Sequence, residues 1–316
     1  KESGFDRAIL TRILVGFSLF SYLGWSTADF KEITSEGVFE YKFKENKAKF
    51  SRIIDLEEQI YQIEEIVSYL LKVRILRMRG RFIYITPRPL AIHLLQNHTL
   101  ESKFIEYFEK IRSLNDKHFL NRFLERLEDF AFDDIGETIV DSILHSSSFD
   151  SWQKINNREI SDKLLKISII NNKLVVKKLT GLFKEVNYDV LKETLTSRRD
   201  LINSLEHIIL YNDSFEEGMN ILLKLAIAEN ETYANNATGT FRDKFSIYLP
   251  GTSATLQDRM NYLEKLNETG DENIIFRVIN VLPTVFNLER HSRMVYAELQ
   301  ALRPVPEEYQ PKTVAE

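Results

Sequence analysis

The chain has 316 residues, more than a single hydrophobic core of about 250 to 300 residues usually accommodates, so two domains or one elongated array are expected. Hydrophobic residues make up 43% and charged residues 28%. With 42 lysines and arginines against 47 acids the net charge is -5, which argues against wholesale coating of nucleic acid or membrane and leaves local basic patches open. The absence of cysteine excludes disulfides, a thiolate nucleophile and cysteine-ligated zinc, and fits a reducing cytoplasm.

The first residues, KESGFDRAILTRILVGFSLFSYLGW, hold an apolar run behind Arg7 and Arg12 that mimics a signal peptide. No small-residue cleavage site follows, and the run is shorter than the roughly 20 residues a membrane-spanning helix needs. Ile9, Ile13, Phe17 and Phe20 recur at helical spacing, so the stretch is read as a core helix. A chain that opens on Lys1 rather than Met is expected to be a piece of a longer protein. After Gly24, Ser26 or Thr27 can cap a second helix. Residues 37 to 50 alternate and are rich in lysine, a pattern compatible with strand, helix or loop. From Asp55, read as a cap, Leu56, Ile60, Ile63, Val67 and Leu70 line one face of a helix that ends near Lys72.

The most legible segment is VRILRMRGRFIYITPRPLAIHLL. Val73, Ile75 and Met78 precede a tight Arg79-Gly80-Arg81 turn, and Phe82 to Ile85 form a β-rich run. Thr86-Pro87-Arg88-Pro89 stops the strand, and Pro89 suits the first turn of a helix carrying Leu90, Ala91, Leu94 and Leu95. Helices followed by a β-hairpin predict a winged helix over residues 1 to 98. Its hairpin is basic: Lys72, Arg74, Arg77, Arg79, Arg81 and Arg88 have no acid between them. Such a wing can grip phosphates or pair with acidic neighbours in a larger assembly. The helix before it carries Glu57, Glu58, Glu64 and Glu65, where a DNA reader needs positive charge.

From residue 99 to 302 nearly every segment is an amphipathic helix. Leu120, Phe123, Leu124 and Leu127 start one; Ile160, Leu164, Leu165, Ile167 and Ile170 another; then come Leu201, Leu205, Ile208 and Ile209, followed by Met219, Leu222, Leu223 and Ala226. Short polar turns such as YNDS at 211 to 214 imply antiparallel neighbours, and their succession predicts a HEAT-like or tetratricopeptide-like α-helical repeat array without a fixed period. The fold class expected is therefore mainly α, a winged helix followed by helical repeats. Residues 303 to 316, with their prolines and no apolar periodicity, are expected to form a tail or linker.

The stretch AENETYANNATG, residues 228 to 239, interrupts this rhythm. Asn235 and Asn236 tolerate left-handed backbone and Gly239 permits a turn, so it is read as a connector. It lacks GxxxxGK[ST] and GxGxxG, and its two glycosylation sequons have no secretory context. A second loop, LPGTSATLQDRM, turns at Pro250-Gly251, and Thr252 or Ser253 can cap the next helix. Together the loops suggest a groove lined by Glu229, Asn230, Asn235, Asn236 and Arg259. No catalytic or metal site is expected: the six histidines form no HExxH or other ligand spacing, and Ser146-Ser147-Ser148 lacks a GxSxG context.

Two stretches, RGRFIYITPRPLAIHLL and LAIAENETYANNATGTFRDKFSIYLPGTSATLQDRM, resemble the region downstream of the nucleotide-binding module in bacterial STAND NTPases, the NLR-like signalling ATPases of which many are associated with antiphage defence. The opening FSLFSYLGWS resembles the first helix of their winged-helix domain. The likeness covers most of residues 8 to 98 and 219 to 263. It implies a P-loop ATPase upstream, with ATP and Mg bound there and no cofactor in this fragment, which lacks Walker motifs and is not expected to be an enzyme. It also implies that the arm restrains the ATPase or passes ligand binding into oligomerisation. The partners implied are the chain's own upstream NTPase module and other protein surfaces, with a homo-oligomer in the full protein, in the cytoplasm and away from membranes. Nucleic acid is the less favoured partner. It belongs to the competing expectation, a free-standing winged-helix DNA-binding regulator whose helical domain senses a ligand or dimerises.

Overall fold

The computed structural model describes residues 4–25, 32–33, 39–40, 43–130, 133–193, 197–287 and 306–311. Among these residues the chain is mainly helical, with 70% helix in 16 helices and a small three-stranded antiparallel sheet. It divides into two compact units, residues 1–135 and 136–316, whereas the sequence pattern changes character near residue 98. No helix among the described residues is long and apolar enough to cross a membrane.

The first unit begins with α1 (Arg7–Ser18), capped by Asp6, whose carboxylate accepts from the backbone N–H of Ala8 at 2.7 Å. Strand β1 (Leu23–Gly24) follows. Ser26 and Thr27, the expected caps of a second helix, lie outside the described residues, but Glu32–Ile33 (β2) pairs antiparallel with Phe39–Glu40 (β3), so the helix expected there does not extend through Ile33. The lysine-rich stretch resolves into that strand and α2 (Phe43–Ile53). Asp55 does not cap a helix. It takes left-handed backbone (φ 55°) and its carboxylate meets Lys103 and Lys110, while a single 3-10 turn at Glu57–Gln59 leads into α3 (Ile60–Lys72). The side-chain contacts made around Asp55 lie some fifty residues away in sequence, which a local reading of caps does not see.

The hairpin forms as its sequence predicts. Strand β4 (Leu76–Arg79) pairs with β5 (Phe82–Ile85) across Gly80, whose φ of 59° suits a residue without a side chain. The sheet order is β1-β5-β4, with β4 at the edge. Helix α4 (Arg88–His98) carries Pro89 in its first turn, and α5 (Glu101–Ser113) and α6 (Lys117–Phe130) complete the unit. The core is aromatic: Trp25, 5% exposed, has ring centres of Phe17 and Phe50 at 5.1 and 5.4 Å, and Phe20 meets Phe119 at 5.4 Å.

The second unit runs through α7 (Asp133–Leu144), α8 (Trp152–Ile155), α9 (Arg158–Ile170), α10 (Asn172–Phe183), α11 (Tyr188–Lys192), α12 (Arg198–Ile209), α13 (Asn212–Ile227), α14 (Ala237–Asp243), α15 (Leu256–Glu268) and α16 (Glu272–Val285). Consecutive helices α9 and α10 pack together, as do α12 and α13. Across the pairs α9 lies on α12 and α10 on α13, first helix on first and second on second. Asn171 accepts from Leu174 N–H in the sharp junction of α9 and α10. Helix α13 holds Met219, Leu222 and Leu225 fully buried.

The helix after the second loop is capped by Thr255, not by Thr252 or Ser253: Thr255 and Asp258 form a capping box. Thr252 and Ser253 instead tie the loop to the end of α12, Thr252 Oγ1 donating to the Ile209 carbonyl at 2.6 Å and Ser253 N–H to that of Leu210 at 2.9 Å. Residues 306–311, expected as tail or linker, bond to the same loop. The Tyr309 N–H donates to the Thr252 carbonyl at 2.9 Å, and Glu308 accepts from Gly251 N–H at 3.0 Å.

Candidate interaction surfaces

The basic hairpin separates its arginines by environment. Arg74, at left-handed φ of 65°, is exposed where α3 turns into β4, and Arg77 and Arg79 are exposed on the edge strand. None of these three forms an ion pair among the described residues. With Leu71, Leu76 and Met78, Arg74 and Arg77 rim a recess of about 310 Å³. Charge along an edge strand also discourages uncontrolled strand pairing. Arg81, in the hairpin turn, is half-buried, with its guanidinium 5.3 Å from the Phe82 ring centre and its carbonyl accepting from Trp25 N–H.

Arg88 stands apart from the wing: its Nε donates to Asp129 at 2.9 Å. Asp129 is buried and also accepts from Arg126 at 2.7 Å, while Arg126 donates to the Phe20 carbonyl at 3.0 Å. Burial, with Arg88 alongside, brings Arg126 down to about 10, so it remains a cation at neutral pH. Beside the hairpin, α3 and the turn before it present Glu57, Glu58 and Glu65 with Tyr61, which is 87% exposed, and Glu64 pairs with Lys47 at 2.5 Å.

The asparagine-rich stretch is a connector built from its own polar groups. Glu229 accepts N–H bonds from Asn230, Glu231 and Thr238, each at 3.1 Å, and lies 3.4 Å from Arg198 Nε. Asn236 caps α14 through Gly239 N–H at 2.8 Å and donates to the Glu231 carbonyl at 2.8 Å, Asn230 donates to the Lys192 carbonyl, and Asn235 is exposed. The fifth residue of the expected groove, Arg259, is fully buried and lines no surface. It donates to the carbonyls of Lys244 and Ser246 at 3.1 and 2.6 Å, its guanidinium sits 5.2 Å from the Tyr309 ring centre, and burial lowers it to about 10. Only Glu229, Asn230, Asn235 and Asn236 are therefore gathered in one loop.

Gly239 sits in the first turn of α14, not in the turn expected of it, and is required there for a steric reason, since a Cβ would sit 1.9 Å from the Ala234 carbonyl oxygen. Gly239→Ala is expected to destabilise the second unit by at least about 2 kcal/mol. Gly181→Ala, on the exposed side of α10 with nothing within 4 Å, is expected to stabilise it by up to about 1 kcal/mol. Urea midpoints of the two variants moving in the same direction would contradict this account.

Sequence reading missed the buried charges Arg126, Asp129 and Arg198. Arg198 had a signal, because Leu201, Ile202 and Leu205 stand three, four and seven residues on and place it on the apolar face of α12. Among the described residues, no group of three or more histidines or acids is placed to hold a metal ion. Comparison of the chain with protein-family models, with curated proteins and with solved structures gave no match.

Proposed function

We propose that this chain is the regulatory, interaction-bearing arm of a cytoplasmic STAND signalling NTPase of the antiphage-defence type, a winged helix followed by helical repeats, without catalytic chemistry of its own. The observation that carries the reading is the exposed row Arg74, Arg77 and Arg79 around an apolar-floored recess, in a unit where Arg88 and Arg126 are engaged by Asp129. Cations displayed in this way suit docking against an acidic surface, here the upstream NTPase module with its bound ATP and Mg. The order helix, strand, short strand pair, helix, helix and hairpin, with the first strand beside the last, supports the winged-helix part. The stacking of α9–α10 on α12–α13 supports the repeat part.

Charge reversal at Arg77 and Arg79 in the full-length protein is expected to leave folding intact and to change ligand-dependent oligomerisation by at least about tenfold. Arg81 is left in place because it is half-buried and its carbonyl holds the Trp25 N–H. Unchanged activation by a folded variant would remove the hairpin from the mechanism. The alternative, a winged-helix DNA regulator, draws on the same arginines, but the acidic face of α3 opposes entry of that helix into a groove lined by phosphates. A DNA mobility shift that weakens steeply with salt, together with no Walker motif encoded upstream, would favour the alternative.

A further inference from the structure

A second cationic feature of the first unit shares no residue with the hairpin. A cleft of about 530 Å³ is lined by Arg7, Ala8, Thr11, Arg12 and Val15 of α1, by His98 at the end of α4, and by Lys103 and Tyr107 of α5. The α1 residues fall on one stripe of that helix, and Lys103 and Tyr107 are one turn apart on α5. Val15 and Tyr107 are buried and form an apolar wall, and Lys103 Nζ lies 5.3 Å from the Tyr107 ring centre. The volume falls in the range of small-ligand sites, about 300 to 1,000 Å³.

The charges around this cleft do not cancel. Asp6 spends its carboxylate on the N–H groups of Ala8 and Ile9 at the start of α1. Asp55 and Glu106 are shared by Lys103 and Lys110: Lys103 lies 3.3 Å from Asp55 and 2.8 Å from Glu106, and Lys110 meets both acids. Burial would lower Lys103, but its hydrogen bonds to Glu106 and Asp55 outweigh this and raise it above the ordinary lysine value, so it stays charged. Arg7 forms no ion pair among the described residues, and Arg12 reaches only the Asp55 carbonyl at 3.3 Å. Two guanidinium groups thus stand at the mouth of the cleft without a carboxylate partner among the described residues.

We propose that this cleft binds a small, doubly charged oxyanion, a phosphorylated or dicarboxylate molecule held by Arg7 and Arg12, with its body against Val15 and Tyr107. Arginine suits the task because its planar fork matches both phosphate and carboxylate oxygens. The reading is independent of the role proposed for the hairpin.

The test is titration calorimetry of the whole chain with pyrophosphate and, separately, with malonate. One-site binding of either is expected, weakening as salt rises. The paired substitution Arg7→Gln and Arg12→Gln is expected to reduce affinity at least about tenfold, and the same change at Arg77 and Arg79 to leave it within about twofold. Ala8→Trp, which fills the cleft without altering charge, is expected to abolish binding and serves should the double variant fold poorly. Preference between the two probes identifies the headgroup. No binding up to about 10 mM of either probe, binding that survives Ala8→Trp, binding that follows Arg77 and Arg79, or binding of an acidic peptide alone would each overturn the proposal.

Discussion

Asp129→Ala is expected to destabilise the first unit by about 3 to 5 kcal/mol. The carboxylate is 4% exposed and is the ionic partner of Arg126, itself 4% exposed, while Arg126 also holds the Phe20 carbonyl that ends the first helical segment. Removing Asp129 strands a buried cation, and desolvation makes that costly. Arg88→Ala is expected to cost less, about 1 kcal/mol, because the Arg88 side chain is 69% exposed and Arg126 still satisfies the acid. The contrast is measurable by urea unfolding followed through Trp25 in a Trp152→Phe background. If Asp129→Ala costs no more than Arg88→Ala, the triad is not holding the unit together. Replacing Arg126 and Asp129 together by Met and Leu is expected to cost less than Asp129→Ala alone, since no buried charge is then left without its partner.

Arg198→Met is expected to destabilise the second unit by a similar amount, about 3 to 5 kcal/mol. Arg198 is fully buried, and its guanidinium donates to the carbonyls of Leu191 and Ala228 at 2.9 and 3.0 Å and to that of Leu225, closing the C-terminal end of α13. Methionine fills much of the volume but leaves these carbonyls without their donor and Glu229 without its cation. Hydrogen exchange should locate the damage at the end of α13 and in residues 228 to 239, with the first unit unaffected. A loss under about 1 kcal/mol would show that water replaces the guanidinium without penalty.

Much of the fold was legible because its signals are local. The periodicity of Leu201, Leu205 and Ile208 buries those residues on one side of α12, and Gly80 between two β-rich runs produces the hairpin. The connector was legible only in part: residues 228 to 236 are non-helical, but neither Asn235 nor Asn236 takes left-handed backbone, and Gly239 lies inside α14, where its N–H is capped by Asn236, instead of in a turn. Caps were less legible: in LPGTSATLQDRM three hydroxyl residues could start α15, and the choice of Thr255 follows from Thr252 and Ser253 being drawn to the carbonyls of Ile209 and Leu210, more than 40 residues away. Asp55 was misread for the same reason.

The helices, the basic hairpin and the absence of cysteine chemistry follow from residue identity and from spacings of a few residues. Which arginines face outward was decided only by the tertiary structure. Arg77 and Arg88 sit in one basic run, yet Arg88 meets Asp129 from 41 residues away and Arg77 meets no acid among the described residues. Arg259 and Arg198 are buried by carbonyls that the fold delivers from up to 30 residues along the chain. A charge's availability is set by the groups that replace its water, and those groups are assembled only when distant segments pack.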